Sequence, residues 1–169
     1  MLEQDEIHLP RRHGPVTHAL EQLQVKDAMT SDLVVIPAEE TPVTALQLIR
    51  PYNFSTYPVV DGEQRFLGLV TEARIRRSQA EDGNHRIGQL ADRTTNVSPD
   101  YPLIRAVMRM NERNTRQLPV VHRLDETRLV GLLTMTDIVR AQARAARDAG
   151  AVDRTNVPTF AEERETLEG

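Results

Sequence analysis

"YPVVDGEQRFLGLVT", Tyr57 to Thr71, returns downstream as "LPVVHRLDETRLVGLLT", Leu118 to Thr134, with two extra residues in the second turn. Self-similarity at a fixed separation marks a duplicated structural unit. The match also runs upstream. "PVTALQLI" from Pro42 pairs with "PLIRAVMRM" from Pro102, Pro37 with Pro99, and "VKDAM" from Val25 with "IGQLA" from Ile87. These landmarks keep their order at separations of about 60–63 positions, so two copies of one unit are expected, over 24–80 and 86–145. The copies differ at one telling place. "GLLTMTD" ends in Asp137, whereas "GLVTEAR" puts Arg74 in the same position.

Periodicity gives each unit its elements. "DLVVIP" (32–37) reads as a short apolar strand stopped by Pro37, and "TNVSP" as its thinner counterpart. Thr41 before Pro42 makes a helix start, with a capping hydroxyl and a proline in the first turn. Val43, Ala45, Leu46 and Ile49 recur at helical spacing, as do Leu103, Ala106, Val107 and Met110. "YPVVD" predicts a buried strand, Asp61-Gly62 a tight turn, and "RFLGLVT" an antiparallel return. "EARIRRSQA" and the longer "TDIVRAQARAARDA" predict closing helices. The unit is β-α-β-β-α, an α/β (α+β) class. A three-stranded sheet cannot bury both faces alone, so two copies are expected to pack through their sheets as a pseudo-twofold pair. The segments 1–23 and 150–169, rich in proline, histidine and charge, read as a linker and a C-terminal tail.

Composition narrows the function. The chain of 169 residues holds 21 basic and 25 acidic side chains, a net charge of −4, and lacks the basic excess of a nucleic-acid binder. There is no cysteine, which removes disulfides and thiolate catalysis or ligation. No apolar run approaches the roughly 18–20 residues of a membrane span, and "MLEQDEIHLPRRHG" is no signal peptide, so the polypeptide reads as soluble. No glycine-rich phosphate loop or nucleophile elbow occurs. His8, His13 and His18 fall at spacings of five with no partner set, and are assigned to the linker rather than to a metal. A nucleotide hydrolase would need a base, a metal or an activated nucleophile, and none is visible, so no catalytic residue is expected.

The tandem unit, the opening "VKDAMT", the central "YPVVD" and "LPVV", and the closing "GLLTMTD" together resemble a pair of cystathionine-beta-synthase (CBS) domains, over about residues 24–145. Such pairs, called Bateman modules, bind adenosine-containing ligands between the repeats and regulate what they are attached to. "EIHLPRRHGPVTHALEQLQVKDAMT" is further similar to the connector after the last membrane helix of bacterial chloride channels and chloride–proton antiporters. That resemblance implies a cytoplasmic regulatory domain, tethered to the inner membrane through a transport domain. The alternatives are a stand-alone CBS pair regulating an enzyme in trans and a ligand-free dimerisation module. A homodimer is implied, with Ile75 and Ile138 to Val139 expected on uncovered helix faces.

For a ligand such as ATP, ADP or AMP, the resemblance points to particular residues. One carboxylate can accept from both vicinal hydroxyls of a ribose through charge-assisted bonds. The "G-x-x-T-x-x-D" match assigns that role to Asp137, with Thr134 adding a hydroxyl. Thr and Asp there also cap helices for backbone reasons alone, so the two readings stand together. Phe54 and Ser55 match the aromatic–serine pair that contacts the base in chloride-channel members; otherwise Phe54 is a core plug. Tyr57, Pro58, Val35 and Ile36 would line the same slot. The second cleft has Arg74 at its carboxylate position and Thr115, beside Arg116, at its aromatic position. Arg74, Arg113 and Arg116 either reach a phosphate there or form a solvated face.

Overall fold

A computed structural model describes residues 20–154. The elements are helix α1 (Val25–Ala28), strand β1 (Ile36–Pro37), helix α2 (Pro42–Ile49), strands β2 (Thr56–Val60) and β3 (Phe66–Thr71), and helices α3 (Glu72–Glu81) and α4 (Ile87–Leu90). Helix α5 (Leu103–Glu112), strands β4 (Gln117–His122) and β5 (Asp125–Thr134) and helix α6 (Met135–Arg154) complete the chain. The three linker histidines, and residues 155–169 of the tail, lie outside the described residues.

Local chemistry sets the boundaries. The Thr41 hydroxyl accepts from the Thr44 amide at 3.2 Å, and Pro42 opens α2. Thr71 caps α3 in the same way, accepting from the Arg74 amide at 3.2 Å. The turn after β2 differs from the expected Asp61-Gly62 corner. The Asp61 carboxylate accepts from the amides of Glu63 and Arg65, both at 2.9 Å, and the left-handed residue is Gln64, with φ 62°. An aspartate that bonds its own backbone two and four residues on can close such a loop without glycine in the left-handed position. Those bonds, led by the one from Arg65, hold the Asp61 carboxyl below the usual carboxylate range.

Strand β1 pairs parallel to β2, and β2 antiparallel to β3. In the second half β4 and β5 form a two-stranded ladder, and the expected third strand is reduced to a parallel bridge of Val97 with Val120. "DLVVIP" is likewise a strand only at its last two residues. The reason lies in the preceding chain. Thr30 is drawn off to bridge Leu132 of the second repeat, and Asp92 bridges Leu69 of the first. Each repeat therefore lends its opening segment to the other.

The short helices follow the same exchange. Val25 and Ala28 of α1 pack with Leu103, Leu118, Leu133 and Ile138 of the second repeat. Ile87 and Leu90 of α4 pack with Ile36, Val59, Val70 and Ile75 of the first. Two apolar clusters result, one per half, and β3 meets β5 where the halves join. Each fully buried Leu, Ile or Val contributes about 1.5–3 kcal/mol of transfer free energy, so trading helices ties the halves into one folding unit. Ile75 and Ile138, expected on uncovered faces, are instead buried in these clusters; only Val139 is exposed, at 58%. A helix buries whichever apolar residue its own sheet covers, and here the sheets cover both isoleucines.

Candidate functional site

Strand β5 runs directly into α6, and the junction is a reciprocal cap. The Thr134 hydroxyl accepts from the Asp137 amide at 3.1 Å, while Asp137 Oδ2 accepts from the Thr134 amide at 2.9 Å and from its hydroxyl at 2.8 Å. Oδ1 accepts from the Thr30 hydroxyl at 3.2 Å. Asp137 is 8% exposed, so its carboxylate is fixed in one orientation. A carboxylate offers about four lone-pair sites. Three donors leave capacity on Oδ1, the side reached by Thr30.

Asp137 lines a cavity of about 680 Å³ between the repeats. Thr134, Phe54, Ser55, Tyr57 and Pro58 line it too, so six of the eight expected residues converge. Val35 and Ile36 do not. Ile36 is buried in the first core, where its pairing with Val59 turns it inward, and Leu33 and Val34 supply that wall instead. The displacement follows from the exchange of opening segments, which carries residues 30–34 across the cavity before β1 begins.

Phe54 is no core plug. It stands 55% exposed at the cavity, its ring stacked on Tyr52 at 6.2 Å and edge-on to Tyr57 at 6.1 Å. Tyr57 is the framework. Its hydroxyl accepts from the Phe54 amide at 3.3 Å, and burial pushes its phenol up in pKa, so it stays neutral.

Asn114, Thr115 and Arg116 are also on this cavity rather than confined to a second cleft. Gln117 pairs with Thr134 at the end of β5, and the Met135 amide donates to the Arg116 carbonyl at 3.0 Å. The loop before β4 is thereby held beside Asp137. Ser55, whose carbonyl accepts from the Glu72 amide at 3.0 Å, occupies the equivalent place in the first repeat. Sequence reasoning missed Thr30, Asp32 and Arg140, which also line the cavity. For Arg140 a signal existed, since it lies three residues past Asp137 on the same helix.

Around Arg74 the backbone repeats the pattern and the charges reverse. Asp92 holds the bridging position that Thr30 holds opposite Asp137. The Arg74 guanidinium donates to the Asp92 carboxylate at 2.6 Å. Where one half presents an acceptor with spare capacity, the other holds an ion pair.

Among the described residues no group of three or more His, Cys, Asp or Glu is placed to hold a metal, and no helix is long and apolar enough to cross a membrane. The CBS domain family model matches residues 25–81 and 91–144. The inosine-5'-monophosphate dehydrogenase of Methanocaldococcus jannaschii is 26% identical over 125 residues, 72% of this chain and 24% of that enzyme. The chain thus spans about a quarter of this enzyme and of its Aquifex aeolicus counterpart. The CBS domain-containing protein YhcV of Bacillus subtilis is 29% identical over 68% of this chain and 81% of its own. The CBS domain of a bacterial CNNM/CorC family Mg2+ transporter, solved with ATP, superposes with a TM-score of 0.67 at 19% identity, over 76% of this chain and 95% of that one.

Proposed function

The chain belongs to the CBS domain family, with two copies filling most of its length, and on that premise we propose that it is a regulatory module binding one adenosine ligand per chain in the Asp137 cavity. The observation that carries this reading is the Asp137 carboxylate, buried, held by its donors and still able to accept, lining one cavity with the exposed Phe54. A ribose needs the acceptor and an adenine needs the ring. The ATP bound by the Mg2+ transporter's CBS domain supports the same ligand class. The module regulates rather than catalyses, a reading that the match to a CBS pair supports.

Binding is tested by thermal unfolding with AMP, ADP, ATP and S-adenosylmethionine, since a ligand that binds only the folded form raises the melting point. No shift with any of them would favour a ligand-free dimerisation module. Calorimetric titration should then return a stoichiometry near one. Arg74→Ala should change affinity little, because it removes an exposed ion pair contributing about 0–1 kcal/mol and touches no part of the Asp137 cavity. Two sites, or an Arg74→Ala loss as large as that of Asp137→Ala, would overturn the one-site reading.

For the regulated partner, the resemblance of the N-terminal segment to a chloride-transporter connector supports attachment to a membrane transport domain on its cytoplasmic face. The stand-alone reading is favoured by the 81% coverage of YhcV. The reading frame upstream of Met1 separates them: apolar helices there support the transporter, and their lack supports regulation in trans. A homodimer is part of the same proposal, with Val43 and Leu48 of α2, Met108 of α5 and Val139 of α6 as exposed apolar side chains for a partner copy to cover. Light scattering at high micromolar concentration should give twice the chain mass, and a strict monomer would refute it.

A further inference from the structure

The Asp137 cavity opens at one end into a groove of about 410 Å³ along α6. The two spaces share Thr30, Asp137 and Arg140, so the proposed ribose acceptor stands at their junction. Ala28 and Met29 form one wall of the groove, and Arg140, Arg144 and Arg147 the other. These arginines recur at i, i+4 and i+7 on one helical face and extend roughly 10 Å along the axis at about 1.5 Å per residue. Arg116 adds a fourth guanidinium from the cavity side.

Outside this groove four arginines hold carboxylate partners: Arg65 with Asp61, Arg74 with Asp92, Arg76 with Glu72 and Arg123 with Asp100. Among the described residues none of Arg116, Arg140, Arg144 and Arg147 has a carboxylate partner, and Arg144 donates only to the Asp27 carbonyl, at 3.2 Å. The carboxylates lining the joined spaces are Asp32 and Asp137. Four cations therefore face two anions around one connected space, in a molecule whose net charge is −4.

We propose that this groove receives the phosphate chain of the ligand, so that the module selects a nucleoside polyphosphate over a bare nucleoside or a cationic adenosyl compound. The assignment rests on the nucleoside reading of the neighbouring cavity. Guanidiniums bind phosphate oxygens through charge-assisted bonds, and three in file match several phosphates in file. An adenosyl sulfonium would bring positive charge to the same place.

The test titrates adenosine and ATP, in magnesium-free buffer, into the native chain and an Arg144→Gln/Arg147→Gln variant. Both arginines are exposed, so the variant should fold normally. ATP should bind the native chain at least about tenfold tighter than adenosine, a difference that one or two charge-assisted bonds supply. In the variant that preference should fall to within about threefold, with adenosine affinity unchanged, and raised salt should erode it in the native chain alone. Equal affinity for ATP and adenosine, or a preference that survives the double substitution, would overturn the proposal. If neither compound binds, the nucleoside reading has failed and inorganic tripolyphosphate decides the groove. Binding that the double variant loses supports an anion site, and no binding overturns it.

Discussion

Asp137→Ala is expected to weaken binding of an adenosine ligand at least tenfold while leaving the domain folded. A charge-assisted hydrogen bond contributes about 1.5–3 kcal/mol, which is about 10- to 150-fold at roughly 1.4 kcal/mol per decade. The carboxylate also caps α6 and accepts from Thr30, so the alanine variant loses stability as well, by roughly 1 kcal/mol for the cap. Asp137→Asn separates the two roles. Its carbonyl can still accept from the Thr134 amide, and its amino group can donate to the Thr30 hydroxyl, so the melting point should move little. The site nevertheless exchanges a charged acceptor for a neutral donor, and affinity should fall nearly as far as in the alanine variant. Calorimetric titration and thermal unfolding of both variants measure this. Native affinity in either one would remove Asp137 from the site.

Gly68→Ala should be the most destabilising of three alanine substitutions, at Gly68, Gly131 and Gly62. A Cβ there would lie 2.4 Å from the Asp92 carbonyl oxygen and 2.8 Å from its carbon, both backbone atoms. Asp92 cannot yield easily. It is held to Leu69 by bonds of 2.9 and 2.8 Å, and α4, just before it, is anchored in the first core by Ile87 and Leu90. Forcing such a contact costs about 1–3 kcal/mol or more, and a chain of this size loses about 2–4 °C per kcal/mol. Gly131→Ala, the equivalent in the second repeat, meets the flexible Met29 thioether at 2.8 Å and the Thr30 carbonyl at 3.0 Å, and should cost less. Gly62→Ala meets nothing within 4 Å and serves as the neutral control. Denaturant unfolding should rank the three in that order; a Gly68→Ala as mild as Gly62→Ala would mean the crossing strands can part freely.

Both glycines show where sequence reading stops. "RFLGLVT" and "RLVGLLT" announce their strands, and the repetition announces the pair. That the fourth residue must be glycine follows only once a segment of the other repeat crosses over it. The same crossing explains why "DLVVIP" is a strand at Ile36–Pro37 alone, and why Leu33 and Val34 rather than Val35 and Ile36 wall the cavity. Ile75 and Ile138 do lie on apolar stripes, but periodicity marks an apolar face without saying what will cover it.

The sequence by itself determined the duplicated unit, the cap at Thr41, and the charge difference between Asp137 and Arg74. These are local or repetitive features, written in neighbouring residues and in the spacing between copies. The tertiary structure alone decided that the opening helices change places, that Thr30 faces Asp137 while Asp92 faces Arg74, and that Arg116 joins Phe54 on one cavity. Those pairings link residues up to 107 positions apart. Each is set by which apolar surface each half can bury, and that depends on both halves at once.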